Sequence, residues 1–473
     1  MASPNLHIFF LPLLTPGHML PVVDMAKLFA QRGVRATLVT TPGNAARIRD
    51  SLERGSAGGR VEVLQVEFPS SLAGLPDGSD TLAASGTPEV TEKFFGALNA
   101  LRQPVERLVR EHAPDCLISD TFFPWTVDVA AEFGIPRVVF HASGTFTLTA
   151  LGAVIRSCPH LGVSDDAEAF VLPGLLDHIE MTRAELPEFI LSTPDYMKEM
   201  AASQFKSYGI VLNTFQELEP AYGDKVDGLK TWSIGPVGLC NVDGADQAVR
   251  GEKASGDNAE RCLSWLDAQA PGSVPYVCFG SLCRFTRAQL HELALGLEAA
   301  GHPFLWVLRD VDGSGAAELP EGFEERTKGR ALVLRGWAPQ ILILGHRAVG
   351  GYVIHCGWNS IVEAVTAGLP MVTWPLFHEQ FFNEKFVLHV LRAGVPVGTV
   401  SCRIKEEERV LVGREKIGRA VARVMGGGAE ADALRRRARE LSTMAKKAVE
   451  VGGSSHRSLD DLIQELIGLK KWK

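Results

Sequence analysis

No C-x-x-C pair occurs among the 473 residues, and the eight cysteines (Cys116, Cys158, Cys240, Cys262, Cys278, Cys283, Cys356 and Cys402) are scattered. This spacing excludes a dense disulfide framework and favours free thiols in a reducing compartment, which points to the cytosol. N-x-S/T acceptor sites are missing as well, in keeping with a chain that stays out of the secretory pathway. The N-terminal apolar run, Ile8 to Leu14, lacks a basic flank and a small-residue cleavage site and is interrupted by Pro12. It is too short for a membrane span and reads as a buried strand. Basic charge is not in excess: the net charge is −8, so nucleic acid and anionic membranes are poor partners and an anionic ligand has to be held locally. No G-x-G-x-x-G follows the first apolar run, which argues against a dinucleotide oxidoreductase.

What is present is ordinary in bulk and informative in order. Hydrophobic residues make up 46% and charged residues 22% of the chain, close to the averages for soluble globular proteins. At about 150 residues per domain, the length predicts two or three domains. LHIFFLPLL, MLPVVDMAKLFAQRG and ATLVTT read as strand, helix and strand; PDCLISD, TVDVAAEFG and PRVVFH repeat the pattern. This is the signature of a parallel, doubly wound α/β sheet. The polar stretch between Leu239 and Asn258 reads as a linker or surface loop. After it the pattern resumes with VPYVCFGS, a helix from about Thr286 to Ala300, and the strands FLWVLR, ALVLRGW, GGYVIHCG and PMVTWPLF. The expected organisation is an N-terminal domain over 1–245, a linker over 246–258, a second domain over 259–455, and a C-terminal helix over 456–473 that packs back on the first domain. Two such α/β domains in tandem leave a cleft between them.

Within Trp337 to Gln380, a strand ending at His355 turns through Gly357 into a helix carrying Asn359, Ser360 and Glu363. A helix N-terminus offers unpaired N–H groups and a partial positive charge, which suits a phosphate. His355, Asn359 and Ser360 add side-chain donors there, Glu363 lies on the face of Asn359 and can accept from ribose hydroxyls, and Trp337 is a flat surface for a base. Near the N-terminus, His18 follows Thr15-Pro16-Gly17 in the loop after the first strand, outside the carboxyl end of the sheet, where open α/β folds place ligands. Asp120 ends the strand PDCLISD and emerges on the same edge. A histidine is the suitable base for a hydroxyl at neutral pH, and a carboxylate on its other nitrogen fixes the tautomer and stabilises the imidazolium.

The 44-residue segment from Trp337 to Gln380 resembles the signature box of the plant family-one UDP-glycosyltransferases. The likeness extends along essentially the entire chain, through GHMLPVVDMA, PDCLISDTFFPWTVDVAAEFG, SYGIVLNTFQELEPAY and FGSLCRFTRAQL. It implies two Rossmann-like domains facing across a cleft, the GT-B type. It also implies that Trp337 stacks on uracil, that the Ala338 backbone and Gln340 fix the nucleoside, and that Glu363 holds the ribose. His355, Asn359, Ser360 and Ser281 would bind the diphosphate; Trp358, Glu379 and Gln380 would face the sugar, with Gln380 associated with glucose. His18 and Asp120 match the family's base and its partner. The expected reaction is an inverting transfer of glucose from UDP-glucose to a hydroxyl of a small apolar metabolite such as a flavonoid, other phenolic, triterpenoid or steroid, without a cofactor or metal. Asp310-Val311-Asp312 is a literal D-x-D, but it reads as a turn in a Gly-rich stretch.

The box departs from the common pattern at Ile354 and Ile361, where threonine is frequent, and at His378, where a small residue is usual; His378 is flagged as an acceptor contact. Segments 68–92 and 156–200 are expected to shape the acceptor pocket. A nucleotide-sugar epimerase and a non-catalytic UDP-sugar binding protein are the competing readings, and both are disfavoured by His18 and Asp120 together. A monomer is expected.

Overall fold

The computed structural model describes residues 6–54, 60–71, 73–76, 79–82, 88–192, 194–223, 225–226, 228–251, 258–308 and 319–470. Asp310 to Asp312 lie outside them. By its internal contacts the chain divides into two units: Met1–Thr145, Pro194–Lys253 and Lys447–Lys473 form one, and Phe146–Thr193 with Ala254–Lys446 form the other.

The first unit is built on β1 (His7–Leu11), β2 (Arg35–Thr40), β3 (Val61–Gln65), β4 (Cys116–Asp120) and β5 (Arg137–His141). The chain then crosses a short antiparallel hairpin, β6 (Ala169–Val171) and β7 (Glu180–Thr182), that belongs to the second unit, and returns through β8 (Gly209–Leu212), β9 (Lys225–Val226) and β10 (Leu229–Ser233). The sheet order is β3-β2-β1-β4-β5-β8-β10-β9, parallel except for the last pair. Both faces are covered, so the central strands read as continuous apolar runs: all five residues of β1 and of β4 are buried, as parallel strands require.

The C-terminal helix Ser454–Lys470 belongs to this unit. Leu459, Leu462, Ile463 and Leu466 enter the same core as Ile8, Phe29 and Trp232. Its ends are tied by Ser455 Oγ donating to the Gly235 carbonyl at 2.5 Å and by Lys470 Nζ to Asp115 at 2.9 Å. Leu462→Ala is therefore expected to cost about 2–5 kcal/mol of unfolding free energy, read from urea unfolding. A loss below about 1 kcal/mol would show that the helix contributes little to the fold.

The second unit carries β11 (Val274–Cys278), β12 (Phe304–Leu308), β13 (Ala331–Arg335), β14 (Val349–Ile354), β15 (Met371–Thr373) and β16 (Gly394–Pro396), all parallel, in the order β13-β12-β11-β14-β15-β16.

One organisational expectation differs from the observed grouping. The segment 146–193, expected inside a continuous 1–245 domain, groups with the second unit. There Thr147 Oγ1 donates to Asn383 at 2.6 Å, Lys385 pairs with Glu185 at 3.0 Å, and the Cys402 N–H donates to the Ala184 carbonyl at 2.8 Å. These are long-range contacts that no local period encodes. The boundary between the units, at Lys253 and Ala254, falls inside the stretch expected as a linker over 246–258, and part of the polar sequence before it is tied down. Arg250 is 8% exposed and pairs with the buried Asp24 at 2.7 Å, and Asn241 bonds both Asp24 and Lys27 at 2.9 Å. The partner of Arg250 lies more than 200 residues away in the chain, where no local pattern records it.

Candidate active site

In the first unit the strand order reverses between β1 and β4, the switch point at which open α/β sheets bind ligands beyond the strand carboxyl ends. β4 ends here in Asp120, and the helix that follows β1 carries His18. His18 does not sit in a loop, as expected, but in the first turn of the helix Pro16–Gln31. Thr15 is extended, at φ −136° and ψ 147°, and Pro16 occupies the first helical position, where a missing N–H is harmless and φ is already helical. His18 is thus held by a helix whose next turns bury Met19, Val22 and Val23.

His18 Nδ1 lies 2.8 Å from Asp120 Oδ2, with the imidazole 23% exposed and the carboxylate fully buried. The second oxygen, Asp120 Oδ1, accepts the Phe122 N–H at 3.1 Å, and the Phe122 ring meets His18 edge-on at 5.6 Å. A buried carboxylate so bound favours the tautomer protonated at Nδ1, which places the basic lone pair on Nε2.

The second unit repeats the logic. Its order reverses between β11 and β14, with Cys278 in register with Ile354. Ser281 follows the first of these strands, and His355, Asn359 and Ser360 follow the second. The helix Trp358–Ala367 begins at Gly357, so its N-terminal N–H groups sit at the carboxyl end of the sheet. Cys356 takes the left-handed conformation, φ 64°, in the turn before it, a strained geometry of the kind that persists at ligand sites.

His355 lies between two glycines. A Cβ on Gly280 would come within 2.7 Å of its ring, and one on Gly357 within 2.4 Å. Burial pushes its pKa down to about 4, so the ring is neutral at pH 7. Among the described residues its buried Nδ1 has no hydrogen-bond partner, an arrangement suited to an incoming oxygen.

On the nucleoside side, the Tyr276 and Tyr352 hydroxyls donate to Gln340 Oε1 at 3.3 and 3.1 Å, which turns its Nε2 to Glu363 at 2.6 Å. Gln340 therefore orients Glu363. Trp337 is half-buried and Ala338 buried, just beyond β13. Glu379 is half-buried and precedes the helix Gln380–Lys385. Gln380 is buried; its Oε1 caps the loop by accepting the Leu376 and Phe377 N–H groups at 2.9 and 3.2 Å.

Trp358, expected to face the sugar, has a side chain 2% exposed that packs on Phe386 at 5.9 Å; its backbone N–H lies in the first turn of the helix. His378 is exposed and has φ 54°, the left-handed region in which glycine is least costly.

Asn383 was not singled out from the sequence. Fully buried, it donates to the Cys356 carbonyl at 2.9 Å and accepts from Thr147, so it braces the strained turn. An asparagine inside the apolar run QFFNEKFV was the available signal.

A model of the family described as UDP-glucoronosyl and UDP-glucosyl transferase matches residues 248–402. The scopoletin glucosyltransferase of Nicotiana tabacum is 47% identical, covering 98% of this chain and 98% of its own length. UDP-glucose flavonoid 3-O-glucosyltransferase 7 of Fragaria ananassa is 46% identical, covering 98% and 96%. Among solved structures, a Glycyrrhiza uralensis UGT complexed with glycyrrhetinic acid 3-O-monoglucuronide superposes with a TM-score of 0.93 at 41% identity, covering 99% of this chain and 97% of that one.

Proposed function

The chain belongs to the plant UDP-glycosyltransferases, and from that premise we propose that it transfers glucose from UDP-glucose to a hydroxyl of a small apolar plant metabolite, with inversion, with His18 as the base. The protein is a hexosyltransferase of the GT-B class with two Rossmann-like domains. Relatives named for scopoletin, flavonoid and anthocyanin 3′-O glucosylation support a phenolic acceptor; the neighbour bound to a triterpenoid glucuronide keeps that class in the test panel.

The observation that carries the reading is the 2.8 Å contact between His18 Nδ1 and the buried Asp120 at the switch point of the first sheet. In the transfer the acceptor O–H gives its proton to His18 Nε2 while its oxygen attacks the anomeric carbon. The bond from that carbon to the diphosphate oxygen breaks, and UDP leaves with the electron pair. Asp120 stabilises the imidazolium as it forms. His355 and the first-turn N–H groups of the helix Trp358–Ala367, with Ser281, Asn359 and Ser360, hold the diphosphate. Trp337, Ala338, Gln340 and Glu363 hold the nucleoside, and Glu379 and Gln380 the sugar. These donors supply the stabilisation of the leaving group, so no metal or cofactor is required. His378 is proposed as an acceptor contact.

A cytosolic location is proposed from the free cysteines. None of the eight cysteines forms a disulfide, and among the described residues no helix is long and apolar enough to cross a membrane.

Incubation with UDP-glucose and a panel of phenolic, triterpenoid and steroid aglycones in excess EDTA, followed by mass spectrometry, is expected to yield a hexose adduct with a β linkage by NMR. Loss of product on chelation, or an α linkage, overturns the metal-free inverting mechanism.

A further inference from the structure

We infer that Arg137 is a positioning residue for the transfer: its buried guanidinium locks the end of the strand that carries Asp120, and its charge keeps the His18–Asp120 pair unprotonated. This rests on the reading of His18 as the base.

Arg137 opens β5, paired with Leu117 of β4, and is 2% exposed. Its fork spans the elements around Asp120. Nε donates to Ser119 Oγ at 2.9 Å, and Nη1 to Ser207 Oγ at 2.9 Å and Ser203 Oγ at 3.4 Å. Nη2 donates to the backbone carbonyls of Asp120 at 3.3 Å and Phe123 at 3.5 Å. Every one of these acceptors is neutral. Among the described residues no carboxylate stands within ion-pair distance of this buried cation. An arrangement of this kind is costly for stability alone, since a buried charge is normally paired directly or replaced by an apolar side chain. Burial pushes the guanidinium down to about 10, and the charge of Asp120 is what opposes that fall. Asp120 thus answers to two groups, His18 through a hydrogen bond and Arg137 through the field.

Two titratable groups on which the charge of Asp120 bears, His141 and Tyr196, are neutral at pH 7. His141, at the end of β5, is bonded to Gln204 at 2.5 Å and pushed down to about 4 by burial. Tyr196, on the helix Asp195–Phe205, donates its hydroxyl to the Phe122 carbonyl and is pushed up by burial and by the charges of Asp120 and Glu199. Glu199, on that same helix, bears on Tyr196. Arg137 is a charged group that interacts with Asp120.

The sign follows from charge alone. A positive charge near the pair disfavours the arrival of a proton on either member, so the base form persists to lower pH. Neutralising Arg137 makes the pair easier to protonate, and activity that requires the base form is lost at a higher pH. Arg137→Lys keeps the charge without the fork.

The test is the pH profile of kcat/KM for wild type, Arg137→Gln, Arg137→Met and Arg137→Lys, with His18→Ala alongside. Expected is an acid limb moved up by about one unit in the Gln and Met variants, with activity at pH 6 falling further than at pH 8. The Lys variant should keep the wild-type limb with a lower kcat. A folded neutral variant that loses activity equally at all pH values overturns the proposal and makes Arg137 structural. Should neither neutral variant fold, the Lys variant still tests the proposal: a limb displaced by about a unit while the charge is kept refutes it. Wild-type activity without an acid limb, or retained by His18→Ala, is a different failure, that of the base assignment itself.

Discussion

His18→Ala is expected to lower kcat by about 10²–10⁴-fold while UDP-glucose affinity stays close to that of wild type. The imidazole is the group placed to take the acceptor proton. The residues assigned to the donor all belong to the other unit, around β11, β13, β14 and β15, so removing the base leaves them as they are. Asp120→Asn keeps the shape of the carboxylate but presents an amide to Nδ1, which weakens the preference for the active tautomer and no longer stabilises the imidazolium. The pair acts as a unit, so the double variant should be no worse than about the weaker single variant, where independent contributions would multiply. Initial rates with saturating donor and calorimetric titration of UDP measure both terms. His18→Ala turning over near the wild-type rate would end the base assignment, and strictly multiplicative losses would end the coupling of His18 to Asp120.

Much of this site was legible because it sits where a strand period stops. The apolar runs of β1, β4 and β14 and the glycine after His355 mark the sheet edge, and the switch points follow from the strand order. What was not legible lies beneath the edge. His18 was read as a loop residue because Thr-Pro-Gly looks like a turn, although proline at the first helical position and an extended Thr15 start a helix equally well. The burial of the Trp358 side chain against Phe386 was likewise not legible from its motif. Arg137, Asn383 and Arg250 are polar residues whose roles depend on partners remote in the chain: Ser207 for the first, Thr147 for the second, Asp24 for the third. Periodicity records which face a residue is on and is silent about what it meets there.

Gly357→Ala is expected to weaken UDP binding by about 10- to 100-fold, the equivalent of one hydrogen bond to a charged group, about 1.5–3 kcal/mol, and to leave the acceptor KM unchanged. The backbone does not resist the change: Gly357 has φ −65° and ψ 137°, which alanine adopts freely. The effect is steric and directed at one ring. The new Cβ would lie 2.4 Å from His355 Nε2, 2.9 Å from Cε1 and 3.2 Å from Cδ2, and with Gly280 on the other contact side the imidazole has to leave its position. It then no longer offers a neutral donor to the diphosphate. Gly280→Ala presses on the same ring but adds a backbone penalty of about 1 kcal/mol, because its φ is +75°, so it should lower Tm more for a similar loss of affinity. His355→Ala separates the ring from the turn. If the alanine at 357 acts through the imidazole, adding it to His355→Ala costs little further affinity. A full second loss in that background places the damage in the helix N-terminus instead, and unchanged UDP affinity in Gly357→Ala removes His355 from the diphosphate site.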